Sequence, residues 1–190
     1  MKEYREDIKA CIQVLRDGGI ILYPTDTVWG LGCDATNEAA VKKLEQLKGK
    51  EAGKGMIVLL EHAGRLSAWV DQVPEVAWDL AELADKPLTI IYEGAKNLAP
   101  SLPAADGSVG IRICREPFVQ DLLQQFRKPL VSTSANLSGE PTPGSFAEIS
   151  EDLKQKVDYV AGWRQNDTGR TSSSSIIRLG KNGEIHILRK

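Results

Sequence analysis

Four segments place polar side chains and glycines directly beside apolar runs, at the strand ends where open α/β sheets bind ligands. The first is Tyr23-Pro24-Thr25-Asp26-Thr27-Val28-Trp29-Gly30-Leu31-Gly32. It offers two hydroxyls and a carboxylate behind a proline, then two glycines that let the backbone approach a ligand closely. A capped turn would use the same residues. The second runs from Leu47 to Met56 and holds Lys48, Lys50 and Lys54 among three glycines. Glycines free N–H groups to point inward, and lysines supply point charges for phosphate oxygens. The GxxxxGK[ST] order of a P-loop is absent, and a solvated charged loop has the same composition. The third, Ser108-Val109-Gly110-Ile111-Arg112-Ile113, centres an arginine in an apolar strand. A buried guanidinium needs a partner: a structural carboxylate, or a ligand carboxylate or phosphate that fits its planar fork. Gly110, on the same strand face, would leave room for such a ligand. The fourth, Val131-Ser132-Thr133-Ser134-Ala135-Asn136-Leu137-Ser138-Gly139, follows a strand with short hydroxyl and amide side chains. These could hold a nucleotide, or simply cap and turn the chain.

The elements that must carry these segments follow from hydrophobic periodicity. Glu3–Arg16 puts Ile8, Cys11, Ile12 and Leu15 on one helical face, and Asp17-Gly18-Gly19 ends it. Ile20–Tyr23 reads as a buried strand stopped by Pro24. Asn37 caps a helix whose stripe is Ala40, Val41, Leu44 and Leu47. Met56–Leu60 is a strand, and Pro74–Ala84 a helix with Val76, Ala77, Leu80 and Leu83 inward. Strands follow at Leu88–Tyr92 and Val109–Ile113, a helix at Phe118–Phe126 and an extended run at Leu130–Ser132. A helix over Phe146–Val157 precedes a hairpin of Ser174–Leu179 and Glu184–Leu188 around Asn182-Gly183. Such mixing predicts an α/β (α+β) domain with a mixed twisted sheet.

Composition bounds the function. With 190 residues the chain suits one domain, 1–190, and 42% hydrophobic with 26% charged residues argues against disorder. No apolar run approaches the ~20 residues of a membrane helix, and the charged N-terminus lacks the apolar core of a secretory signal. Three scattered cysteines without a CxxC predict reduced thiols in the cytoplasm, and two histidines are too few for a histidine metal site. The net charge of −2 excludes a nucleic-acid footprint over the whole surface. The lysines clustered between Lys42 and Lys54 suit a small phosphorylated ligand better.

Taken together, PTDTVWGLGCD, the LKGK-x3-KG loop, VGIRI and PLVSTSANLSGEP resemble, in order and spacing, the signatures of the YrdC/TsaC family. The resemblance runs from about Ile8 to Arg189. It implies a YrdC-like twisted open sheet with a concave basic surface. It also implies synthesis of threonylcarbamoyl-AMP and pyrophosphate from ATP, L-threonine and bicarbonate. Downstream proteins would pass the threonylcarbamoyl group to A37 of tRNA, and tRNA or double-stranded RNA is a further candidate partner. Position by position, Thr27, Leu59, Arg112 and the Ser174-Ser175 segment match threonine-binding positions. Lys50, Lys54, Ser108, Ser132, Ser134, Asn136, Thr142 and Arg189 match ATP-contacting ones. Lys48, Lys50 and Arg112 would carry the catalytic charge, with no protein-held metal and Mg2+ carried on ATP. Lys50 stands where many members carry arginine, the proline-glycine motif before the mid-chain strand is shortened to Asp85-Lys86-Pro87, and Ser175 replaces a threonine. The rival expectation is a family member that binds RNA or nucleotides without making the adenylate.

Overall fold

The computed structural model describes residues 3–49, 55–169 and 172–190. Helix α1 (Arg5–Arg16) buries Ile8, Cys11, Ile12 and Leu15, and Gly18 ends its turn at φ 75°. Strand β1 (Ile21–Tyr23) stops before Pro24 and returns as β2 (Gly30–Asp34). Asn37 caps α2 (Glu38–Lys48) by accepting from the Ala40 amide at 3.1 Å, and Gly49 closes it in the left-handed region at φ 64°. Strand β3 (Ile57–Leu60), a 3-10 turn (Ala63–Ala68), α3 (Glu75–Leu83), β4 (Leu88–Tyr92) and β5 (Val109–Ile113) follow. Then come α4 (Pro117–Phe126), β6 (Leu130–Ser134), α5 (Glu151–Lys156), β7 (Tyr159–Val160), β8 (Ser175–Leu179) and β9 (Ile185–Arg189).

The strands form one mixed sheet in the order β7-β1-β2-β6-β3-β5-β4-β8-β9. Side-chain alternation divides its residues between two cores. Leu22, Leu31, Val58, Leu60, Ile90, Ile111 and Val131 pack with Val41 and Leu44 of α2 and Ala77 and Ala81 of α3. Ile21, Tyr23, Leu59 and Leu130, pointing the other way, pack with α1 and with Phe118, Leu122 and Leu123 of α4. The α1–α4 pair covers only part of that second face. The uncovered part, from β2 to β9, is where the polar strand residues lie.

Three expectations change. Gly30–Asp34, to which no strand was assigned, is a strand buried between β1 and β6. Its glycine is needed for packing: a Cβ on Gly32 would lie 2.6 Å from the Val131 carbonyl oxygen and 2.7 Å from the Tyr23 ring. The helix expected over Phe146–Val157 is broken into a 3-10 turn (Phe146–Glu148) and α5. Ser150 breaks it by capping α5, accepting from the Leu153 amide at 3.4 Å. Helix α3 turns small Ala77 and Ala81 to the core and leaves Leu83 74% exposed, because the chain leaves the helix there.

Candidate active site

The open part of the second sheet face holds a cavity of about 240 Å³. Strand register explains its lining. Gly30 pairs with Ser134 and Gly32 with Ser132, so β6 presents its hydroxyls beside glycines that have no side chain to cover them. A Cβ on Gly30 would meet the Ser132 hydroxyl at 3.0 Å. Farther along the sheet, Leu59, Arg112, Thr89, Ile176 and Arg189 form one cross-strand row. Leu59 lies at the covered end of that row, fully buried against α1 and α4, and does not line the cavity. Arg112, Thr89, Ile176 and Arg189 do.

Each polar wall is fixed from behind. Thr25 accepts from the Thr27 amide at 3.1 Å and donates to the Val28 carbonyl at 2.7 Å, which sets the loop carrying Thr27. Arg164 donates to the Thr25 carbonyl at 3.2 Å while pairing with Glu116 at 2.6 Å. Thr89 and Ser174 share a hydroxyl hydrogen bond of 2.8 Å, and Arg189 donates to the Ser174 carbonyl at 2.8 Å. Thr133 donates to the Gly55 carbonyl at 3.1 Å, tying β6 to the segment before β3.

Arg112 is the buried charge of the site, 5% exposed, with Asp26 3.2 Å away. Its Nε is shielded from solvent and has no hydrogen-bond partner among the described residues. The Arg112 side chain also lines the cavity, and a guanidinium there suits an anionic ligand. Asp26 in turn accepts from the Cys114 thiol at 3.3 Å and the Arg115 amide at 3.2 Å. Burial, reinforced by the Asp26 charge, pushes the Cys114 thiol up to about 12, so it stays protonated.

Of the residues singled out in the sequence, Thr27, Arg112, Ser132, Ser134, Thr142 and Arg189 line this one cavity. Ser108 lines an adjoining, more apolar cavity of about 230 Å³ with Met56, Ile91 and Leu102; the two share Gly55, Ile57, Thr89 and Ile176. At the start of β8, Ile176 and the preceding Ser174 face the cavity, and Ser175 between them does not, as extended-chain alternation requires. Gly110 has less free space than expected, since a Cβ there would meet Ile57 and Thr89 side chains at 3.2 and 3.3 Å. Lys48 is 1% exposed, and its ammonium donates to the Ser134 carbonyl at 2.6 Å and to the Asn136 carbonyl. The Asn136 amide donates to the carbonyls of Leu137 and Glu140, at 3.0 and 2.8 Å. Both side chains therefore brace the loop after β6 and are outside the cavity lining. Lys50 and Lys54 lie outside the described residues. Sequence reasoning did not single out Asp26, Thr89 or Arg164 as site residues. Thr89 was legible as a hydroxyl in an apolar strand, whereas the contacts of Asp26 and Arg164 join distant parts of the chain.

Comparison with known proteins gives this geometry its context. A family model named for Sua5, YciO and YrdC, described as "Telomere recombination", matches residues 13–190. Proteins named threonylcarbamoyl-AMP synthase from Pseudoalteromonas translucida and Stenotrophomonas maltophilia are each 35% identical to this chain. The matches cover 94% and 97% of it, and 95% and 98% of those proteins. The crystal structure of P. abyssi Sua5 complexed with L-threonine superposes with a TM-score of 0.82 at 28% identity, over 92% of this chain and 51% of that one. This chain thus spans about half the length of that Sua5. E. coli YciO shares the fold, with a TM-score of 0.83 at 24% identity over 97% of this chain and 89% of its own. By model match, sequence identity and fold, the chain belongs to the Sua5/YciO/YrdC family.

Proposed function

We infer that the chain is a threonylcarbamoyl-AMP synthase, acting as one domain over residues 1–190 on the way to threonylcarbamoyl-modified A37 of tRNA. The observation that carries this reading is Arg112: a buried guanidinium that lines a hydroxyl-rich cavity, with the Asp26 carboxylate 3.2 Å away. That group suits the carboxylate of an amino acid, and the family's named members make an adenylate from one. In this reading Arg112 holds the threonine carboxylate, with Thr27 and Ser174 around the rest of the amino acid. Ser132, Ser134, Thr142 and Arg189 hold the phosphates, and the adjoining cavity with Ser108 takes the base. Lys50 and Lys54 offset phosphate charge. Lys48 and Asn136 act from behind, by fixing the loop that carries Ser134.

The chemistry needs little from the protein beyond position and charge. The amine of threonine adds to CO2 from bicarbonate and loses a proton, giving a carbamate. A carbamate oxygen then attacks the α-phosphorus of ATP, the bond to the β-phosphate oxygen breaks, and pyrophosphate leaves. The polar side chains of the cavity are hydroxyls and guanidinium groups. In this reading Mg2+ enters as part of the ATP substrate, shielding its phosphates. Downstream transfer proteins would consume the adenylate. Among the described residues no helix is long and apolar enough to cross a membrane, and the three cysteines are unpaired and buried. Both are compatible with a cytoplasmic enzyme.

The test is to incubate the protein with ATP, Mg2+, bicarbonate and threonine and to follow pyrophosphate and the threonylcarbamoyl-AMP mass. Release should require both threonine and bicarbonate. Salt-dependent RNA binding with no ATP consumption would instead mark an RNA-binding member of the family.

A further inference from the structure

Asp26 belongs to the first loop of the site yet does not line the main cavity. It lines a separate cavity of about 220 Å³ together with Lys86, Pro87, Leu88, Ile113 and Arg115. Its side chain is 11% exposed and lies 3.2 Å from the Arg112 guanidinium. Asp26 is itself fixed, because Oδ1 accepts from Cys114 and Oδ2 from the Arg115 amide. Arg112, by contrast, has one counter-charge among the described residues, and its side chain lines the main cavity. A guanidinium buried without any counter-charge would turn toward solvent. One fully committed by a bidentate partner would have no donor to spare. The pair as built avoids both outcomes.

From this arrangement we propose that Asp26 is a positioning residue. It holds Arg112 in the cavity wall through a single ion pair and so keeps the guanidinium aimed at the substrate carboxylate. The proposal rests on the threonine-binding reading of Arg112. It assigns Asp26 no contact with substrate: the carboxylate acts only through the arginine.

Threonine and ATP affinities are measured by calorimetry on the whole chain for wild type, Asp26→Ala, Arg112→Ala and the double variant. Asp26→Ala should weaken threonine binding about tenfold or more and change ATP affinity by less than about threefold. In the Arg112→Ala background, Asp26→Ala should add nothing, because the residue through which it acts is gone. Additive losses, or equal losses for both substrates, would overturn the proposal. If Asp26→Ala does not fold, the isosteric Asp26→Asn takes its place. It should bind threonine at least fivefold more weakly, and unchanged or tighter binding counts against the idea. A ligand-free readout keeps this separate from the synthase reading. The Arg112 Nε–H resonance should be protected from solvent exchange in wild type and lose that protection in Asp26→Ala, whether or not threonine binds. Equal protection in both proteins would show that Asp26 does not hold the arginine.

Discussion

Lys48 and Arg112 are both buried cations in the segments where ligand chemistry was expected, yet their surroundings differ in kind. The Lys48 ammonium sits at the end of α2 and is taken up by backbone carbonyls of the loop after β6, which leaves it no part of the cavity wall. Arg112 sits in mid-strand, lines the cavity, and among the described residues faces one carboxylate and has no partner for its buried Nε. The first charge is satisfied by the fold, and the second is satisfied only in part. Burial does not separate them, since both are at or below 5% exposure. What separates them is whether the protein supplies all the partners a cation of that shape requires.

The comparison can be broken by mutation. Lys48→Met should show the largest effect on the fold. It removes the donor from two loop carbonyls, for a loss of about 3 kcal/mol in urea unfolding, with both substrates bound more weakly. Unchanged stability would mean that the loop does not depend on the ammonium. Arg112→Ala should do the reverse. Threonine binding should fall by about ten- to a hundredfold, equivalent to roughly 1.5–3 kcal/mol, with a smaller loss of stability than Lys48→Met. A loss of stability larger than that of Lys48→Met would make Arg112 the structural charge of the two. The solvent-exposed Lys43–Asp158 pair, at 2.7 Å, sharpens the scale from below. Lys43→Ala should alter stability by less than about 1 kcal/mol in physiological salt. For Asp158, desolvation raises the carboxyl pKa, but the Lys43 ammonium and the Ile20 amide outweigh it and leave the value below the ordinary one. A depressed folded pKa contributes stability above the ordinary carboxylate range. That contribution is lost as pH falls through the lowered value. The stability gap between wild type and Lys43→Ala should therefore be full at neutral pH and close as pH falls through that lowered value.

Much of this was legible in the sequence, for local reasons. Asn37, Pro24 and the Asn182-Gly183 turn act within a few residues of themselves, and the helices and strands they bound are close to those expected. Ser132, Ser134 and Arg189 reach one cavity because alternation along β6 and the cross-strand rows bring them to one face, and Thr27 and Thr142 join them from loops. What was hidden depends on distant neighbours. Gly30-Leu31-Gly32 has the composition of a turn, and only the closeness of Val131 and Tyr23 makes Gly32 a strand residue. Lys48 lies in the same basic segment as Lys50, and nothing in the neighbouring sequence says that carbonyls beyond β6 will claim it. Asp26 is conspicuous in its loop, but its pairing with Arg112 appears only when β1 and β5 are brought into one sheet.

The cavity walls run from Thr25, just beyond β1, to Arg189 in β9, and β2 lies beside β6 with three strands between them in sequence. During ribosomal synthesis the N-terminal half can collapse early. The binding cavity nevertheless stays incomplete until β8 and β9 have emerged and docked beside β4. Long-range closure of this kind slows folding. It also means that ligand and global fold stabilise each other, so saturating substrate should raise the melting temperature of the whole sheet rather than of one loop.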